Sequence, residues 1–347
     1  MVAIIILNWN GYKDTIDCLH SLYQINYSDF FIIVGDNGSK DDSLNHIAEW
    51  CSSNSINFQW YKFGDTSPSS IEKREIILYD MKENHGFSRG NNLMIKFITT
   101  INPDFYFLLN NDTEVEPDFL SILMTFAIEH PDIKVLTPQI RYFYNKNLIW
   151  NCGGKIIWGL RKYHYCNLDK NSIREKEFIP CSFVTGCSLL FNESILLSDG
   201  SLFIEDYFFG EEDFELALRM KQHGYAMAFA ICRQCDEVVV GTSFACVVPS
   251  IIYHKVGTST KKTKSNKRSF IYYMNRFINV RHYMNPLSYI LWVALYLPYI
   301  VLTCKREGNT MMDSISFART LLSESIKYEG VSKEYFEKIW NTDEIII

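Results

Sequence analysis

The chain has 347 residues, 47% of them hydrophobic and 15% aromatic, enough for one large domain with an appendage. Its net charge of -6 excludes a nucleic-acid binder held by bulk electrostatics, so no nucleic acid is expected as a partner. The ten cysteines are scattered and the opening MVAIIIL run is too short for a secretory h-region, so free thiols in a reducing cytoplasm are expected.

Residues 3–7 read as a buried strand, and 14–23 as a helix with Ile16, Leu19 and Leu22 on one face. A strand at 30–34, a helix at 43–51 and a strand at 58–63 continue an alternation that argues for a parallel sheet with crossover helices. Residues 64–70 read as a surface loop, 90–99 as a helix and 105–109 as a buried strand, with Pro117 opening the next helix at its first position. The stretch 139–183, rich in aromatics, Gly and Asn, suggests a meander of less regular strands, and 211–223 is a helix stopped by Gly224. Cys232 and Cys235 form a lone CxxC with no second pair at zinc-ligand spacing.

After Tyr253 the character changes. Lys255, Lys261, Lys262, Lys264, Lys267 and Arg268 make a basic segment suited either to closing over phosphates or to lying solvated. An uncharged run over 283–304 follows. That run is long enough to span a bilayer, but Pro286 and Pro298 interrupt it and basic residues flank both ends, so a buried or interfacial helix pair is the preferred reading.

Polar residues gather where the strands end, which is where open α/β sheets bind ligands. The first strand ends in Asn8-Trp9-Asn10-Gly11, the second in Gly35-Asp36-Asn37-Gly38, and the strand at 105–109 in Asn110-Asn111-Asp112. Each cluster alone is ordinary turn chemistry; three at consecutive strand ends favour a site. No glycine fingerprint follows the first strand and no P-loop occurs, which disfavours a dehydrogenase or P-loop enzyme. A carboxylate at a strand end can hold a divalent cation against a diphosphate, a part that suits Asp112, while Asp36 can accept hydrogen bonds from a base or ribose.

Residues 84–92 (NHGFSRGNN) lead into a helix; its N-terminus is a candidate anion site, although an ordinary cap accounts for Ser88 equally well. Glu211-Glu212-Asp213 opens another helix, either as dipole complementation or as a general base whose proton affinity the adjacent acids raise. His254, just before a glycine-containing basic loop, is a candidate metal or phosphate ligand.

Taken in order, residues 2–11, 34–43 (VGDNGSKDDS), 84–92, 108–115 (LLNNDTEV), 208–219 (FFGEEDFELALR) and 254–259 (HKVGTS) resemble family 2 glycosyltransferases, particularly the bacterial branch that includes rhamnosyltransferases. Residues 272–276 (YYMNR) resemble a further block of that branch. The resemblance implies a GT-A fold, α/β with a mostly parallel central sheet flanked by helices and a C-terminal helical appendage. It implies a catalytic domain over 1–260, divided into a nucleotide-binding half (1–115) and an acceptor half (116–260), then a basic loop and helical region over 261–347. By position, Asn8, Asp36, Asn37, Asn84, Gly86, Asn91, Asn110 and Asn111 would line the donor site. Asp112 and His254 would hold Mg²⁺ or Mn²⁺. Asp213 would be the catalytic base, with Glu212 beside it, and Arg219 would order the acidic cluster.

The implied reaction is inverting transfer from a dTDP- or UDP-sugar, rhamnose-like favoured, to a glycan or polyprenyl-linked acceptor. It would take place in the cytoplasm at the inner face of the membrane, which the C-terminal region would contact peripherally. Competing readings are a nucleotidyltransferase, which would want a Gly- and Arg-bearing loop after the first strand, and a non-catalytic sugar-nucleotide-binding module. The first position of the family's DxD motif is Asn110, and the segment 231–248 carries no recognisable motif before His254.

Overall fold

The computed structural model of the protein describes residues 1–225, 242–256 and 265–341. The first half runs β1 (Val2–Asn8), α1 (Tyr12–Leu22), β2 (Phe30–Asp36), α2 (Ser43–Ser53), β3 (Phe58–Lys62), β4 (Ile76–Asp80), α3 (Gly86–Ile98) and β5 (Phe105–Asn110). It continues through β6 (Thr113–Val115), α4 (Phe119–Glu129), β7 (Val135–Tyr142), β8 (Asn145–Asn151), β9 (Gly154–Ile157), β10 (Leu160–Tyr163), β11 (Phe178–Cys181), β12 (Ser188–Phe191), α5 (Glu212–Gln222) and β13 (Phe244–His254). Four helices close the chain: α6 (Ser265–Tyr283), α7 (Pro286–Arg306), α8 (Met311–Ser325) and α9 (Lys333–Asn341).

The main sheet has the order β11-β13-β7-β12-β5-β1-β2-β4-β3, with β6 added to β13 and β8 to β7. The β5-β1-β2-β4-β3 block is all parallel. Helices cover both faces, so β1 and β2 read as continuous apolar runs: residues 2–6 and 30–34 are fully buried, and alternation is absent. Two cores result, one on each face. Met94, Ile95 and Ile98 of α3 fill one, and Leu19, Leu22 and Ile47 of α1 and α2 the other.

Most sequence expectations hold to within a residue or two, with instructive exceptions. The strand β4 lies in an IILYD run that the sequence reading passed over, and it is the inner neighbour of β3. Helix α3 begins at Gly86 rather than residue 90, and α4 begins at Phe119, so Pro117 stands outside it, its carbonyl accepting from the Asn26 amide. The meander over 139–183 is real: β8 is an irregular edge, and β9–β10 form a separate two-stranded hairpin. The eight cysteines among the described residues are free; Cys232, Cys235 and residues 257–264 lie outside the described residues.

The uncharged run forms one helix, α7, long and apolar enough to cross a membrane. It buries Trp292, Tyr296, Ile300 and Cys304 in a third apolar cluster shared with α6, α8 and α9. Its other face is open, with Leu287 80%, Ile290 64%, Leu295 59% and Tyr299 53% exposed.

Candidate active site

The carboxyl ends of β1 and β2 are tied side chain to side chain. The Asn8 amide donates to Asp36 Oδ1 at 2.8 Å and to Ser39 Oγ at 3.2 Å, while Asn8 Oδ1 accepts from Thr15 at 2.8 Å. The Ser39 amide donates to Asp36 Oδ2 at 2.9 Å. Asn8 exposes no surface here and acts through Asp36, whose carboxylate is pinned from both sides with lone pairs to spare.

Asn37 joins this corner to the start of α3. Its side chain donates to Asn84 Oδ1 at 3.0 Å and to the Gly86 carbonyl at 3.1 Å, and accepts from the His85 amide at 2.8 Å. The α3 N-terminus is not a free anion site, because its first amides are already engaged. Gly86 N donates to Asn84 Oδ1, and Phe87 N donates to the Phe208 carbonyl at 2.9 Å. Asn91, expected near the helix start, sits in the second turn and returns its side chain to the Phe87 carbonyl. Ser88 is buried without a partner and does not cap the helix.

At the end of β5, Asn110 donates its amide to the Cys187 carbonyl, and the Asn111 side chain reaches Thr15 at 3.1 Å. Asp112 turns toward β13, where His254 Nε2 lies 3.1 Å from Asp112 Oδ1. β6 pairs with β13 in the register Thr113↔His254, so the backbone itself brings the two side chains together. The Trp150 ring packs edge-on against the imidazole, and the Cys187 thiol lies beside it. Burial lowers the imidazole's proton affinity, but Cys187 and the Asp112 carboxylate outweigh it and push His254 up to about 10.

Apart from the His254 ring, Asp112 Oδ1 has no partner among the described residues, and His254 Nδ1 is buried without a hydrogen bond, so with a neutral imidazole the pair offers an oxygen and a nitrogen donor to a cation. Among the described residues no cluster of three His, Cys, Asp or Glu side chains surrounds a point. A cation held here would therefore take two protein ligands, with the remainder supplied by ligand oxygens and water.

The acidic cluster opens α5. Asp213 keeps 12% of its side chain exposed; its Oδ1 accepts from Arg161 Nη1 at 3.0 Å and its Oδ2 from the Gly186 amide at 3.3 Å. Glu211, in the left-handed conformation with φ +71°, is 1% exposed and lies between two guanidinium groups. Arg161 Nη2 lies 2.5 Å from one of its oxygens and Arg276 Nε 2.6 Å from the other. Glu212 keeps an oxygen buried without a partner. Burial and the negative charge of Asp213 raise its pKa; burial and Glu211 raise that of Asp213 while Arg161 opposes them.

Arg219 does not order this cluster. Its guanidinium pairs with Glu215 at 3.1 Å and donates to the Leu202 carbonyl at 2.6 Å. Six positions along a helix carry it to the face away from Asp213, whereas Glu215 lies four residues back on its own face. Arg161, which contacts both Glu211 and Asp213, sits in the short β9–β10 hairpin, where no periodic pattern marks it. Arg276 belongs to the YYMNR block and was legible there as a block, without a role.

Gly186 and Cys187 connect the two ends of the site. One holds Asp213 through its amide, and the other touches His254 and accepts from Asn110. A mostly parallel sheet with a pinned Asp36 at the end of β2, a carboxylate–imidazole pair at β6 and β13, and a buried acid at the start of α5 match the arrangement of a GT-A-fold glycosyltransferase. The sequence pattern of glycosyl transferase family 2 matches residues 3–197, and the chain belongs to that family.

The fold is similar to the mannosyltransferase PcManGT from Pyrobaculum calidifontis, solved in complex with GDP-Man and Mn²⁺, with TM-score 0.53 and 13% identity over 94% of this chain and 75% of that one. It is also similar to TarS from S. aureus, with TM-score 0.50 and 11% identity over 92% of this chain and 55% of that one. No curated protein sequence matches the chain.

Proposed function

We propose that the protein is an inverting transferase that moves a sugar from a dTDP- or UDP-linked donor, rhamnose-like favoured, to a hydroxyl of a glycan or lipid-linked acceptor in cell-surface polysaccharide synthesis. The observation that supports this reading is the Gly186–Cys187 segment: the Gly186 amide holds Asp213, and the Cys187 thiol lies beside His254, the partner of Asp112. The sugar is proposed to lie along that segment, its phosphate bond toward Asp112 and its opposite face toward Asp213.

In this reading Asp36 meets the nucleoside, with Asn37 and Asn84 bracing that corner against the start of α3. Asp213 takes the proton of the acceptor hydroxyl as its oxygen bonds to the anomeric carbon, and the carbon–phosphate oxygen bond breaks on the far side. The nucleoside diphosphate leaves with the electron pair and the configuration inverts, with no glycosyl-enzyme formed. Asp112 and His254 would hold Mg²⁺ or Mn²⁺, which supplies charge neutralisation at the departing diphosphate. Their oxygen–nitrogen donor set and orphaned atoms fit such an ion, and the mannosyltransferase neighbour was solved with Mn²⁺ and GDP-Man.

The acceptor end is proposed to work at the inner face of the membrane. The open face of α7 is a row of large apolar side chains, ending in Lys305 and Arg306, and it continues onto α8 through Met312 (81% exposed) and Ile315 (51%). An apolar ridge ending in basic residues suits a helix lying in the plane of an anionic bilayer. The test of the whole reading is a thermal-shift panel of nucleotide sugars with and without Mn²⁺, followed by NMR of the anomeric product. A panel with no metal-dependent stabilisation, or a product of retained configuration, overturns it.

A further inference from the structure

The hairpin β9–β10 lies outside the main sheet, and its strand β10 carries Arg161 into the site. The guanidinium is 12% exposed and walled by the rings of Tyr163, Phe183 and Phe214, each centred within 5.9 Å of it. Its fork is divided: one amine to Asp213, the other to Glu211. Arg276 from α6 closes the opposite side of Glu211 with two contacts, at 2.6 and 2.7 Å. Cation, anion, cation, anion therefore run in a line from Arg276 through Glu211 and Arg161 to Asp213.

The line is held from behind. The Asn275 side chain donates to the Gly210 carbonyl at 2.7 Å and the Asn279 side chain to the Glu211 carbonyl at 3.3 Å, so α6 fixes the turn in which Glu211 adopts its left-handed backbone. A strained residue persists only where its surroundings over-determine it. Burying four charges adds little net stability, because desolvation cancels most of the attraction. What the line does supply is a fixed positive charge 3.0 Å from one carboxylate.

We propose that Arg161 is the positioning residue of this transferase, holding Asp213 ionised and aimed for the incoming hydroxyl, with Glu211 and Arg276 as its brace. This rests on the reading of Asp213 as the base. Facing Asp213 are Glu211 and Glu212 beside it in the chain, Arg161 and Tyr163 from β10, and the Gly186 amide, while Tyr272 and Arg276 from α6 face Glu211. Arg161 contacts Asp213 directly, whereas Arg276 reaches Glu211. Loss of Arg161 leaves burial and the acid neighbours to keep the Asp213 proton on, so the base would be blocked at neutral pH and freed only as the pH rises.

The experiment measures Mn²⁺-dependent release of nucleoside diphosphate from a dTDP- or UDP-sugar across pH, water serving as acceptor, for wild type, Asp213→Asn, Arg161→Gln and Arg161→Lys. Arg161→Gln is expected to lose about a hundredfold in kcat at neutral pH with donor KM within about threefold, its acid limb displaced upward and turnover recovering in alkali. Arg161→Lys keeps the charge and is expected to keep the limb in place while losing about tenfold from the broken fork. A folded Arg161→Gln whose kcat falls equally at every pH overturns the inference.

If Arg161→Gln does not fold, Arg161→Gln/Glu211→Gln removes one cation and one anion together. Wild-type kcat and limb in that pair overturn the inference, and a lowered kcat with a raised limb sustains it. Normal turnover in Asp213→Asn overturns the base assignment and this inference with it, whereas a dead Asp213→Asn beside an unmoved Arg161→Gln limb overturns this inference alone.

Discussion

Asp213 and His254 touch consecutive residues of the chain: the Gly186 amide donates to Asp213, and the Cys187 thiol lies against the imidazole. Consecutive Cα atoms are about 3.8 Å apart, so one short stretch of backbone carries a contact to each. On the proposal that Asp213 is the base and Asp36 meets the nucleoside, Asp213→Asn should leave nucleotide binding intact and cut kcat by about 10³-fold or more, within the range of losing a general base. Calorimetric titration of the nucleoside diphosphate beside steady-state kinetics checks both halves.

Asp112 pairs with His254 through backbone registry, so changing either side chain should spare the fold. Asp112→Asn is expected to abolish the Mn²⁺-dependent rise in Tm seen with a nucleoside diphosphate, a rise of the size that ligand binding at a hundred times its Kd confers, about 2.7 kcal/mol. A rise equal to wild type would show that the cation is held elsewhere.

Gly86 stands among the candidate donor residues, but its geometry assigns it a structural part. It adopts φ +77°, and a Cβ there would fall 2.2 Å from the Phe208 carbonyl oxygen, the acceptor of the Phe87 amide. Gly86→Ala should destabilise the protein by about 2 kcal/mol or more, through the left-handed cost and the displaced contact, and this reads out as a lowered midpoint in urea. An unchanged midpoint with raised donor KM would return Gly86 to the binding role.

The open face of α7 predicts a separable membrane contact. Replacing Leu287, Ile290 and Leu295 together with Ser should lower co-sedimentation with vesicles rich in anionic lipid by about tenfold or more. Turnover on a soluble acceptor should not change, because these side chains point away from the cluster that Trp292 and Tyr296 fill. Equal sedimentation of the variant would remove the proposed membrane face.

How much of this was legible beforehand differs by element, and the reasons are physical. β1, β2 and β5 announce themselves because strands buried on both faces need unbroken apolar runs. Asp36, Asp112, Asp213 and His254 stand out in the sequence through short ordered blocks; the structure pairs Asp112 with His254 and seats Asp213 on the amide of Gly186, the residue before Cys187. Arg161 was invisible, since its partners lie fifty residues on and its hairpin has neither helical nor alternating periodicity. Arg219 was misplaced for the opposite reason: nearness in sequence suggested a contact that helix geometry turns away. The segment 231–248 carries no recognisable motif before His254, yet from Phe244 on it is already β13, which runs to His254 against β7 with a register shift between Val247 and Ile251.

That last strand carries a consequence for how such a chain tolerates change. Because Ile252, Tyr253 and His254 are laddered to Val115, Glu114 and Thr113, the spacing of the two would-be cation ligands is set by hydrogen-bonded backbone. A single residue inserted into either strand would turn the side chains beyond it to the opposite face and part carboxylate from imidazole, so neither strand can change length without undoing the pair.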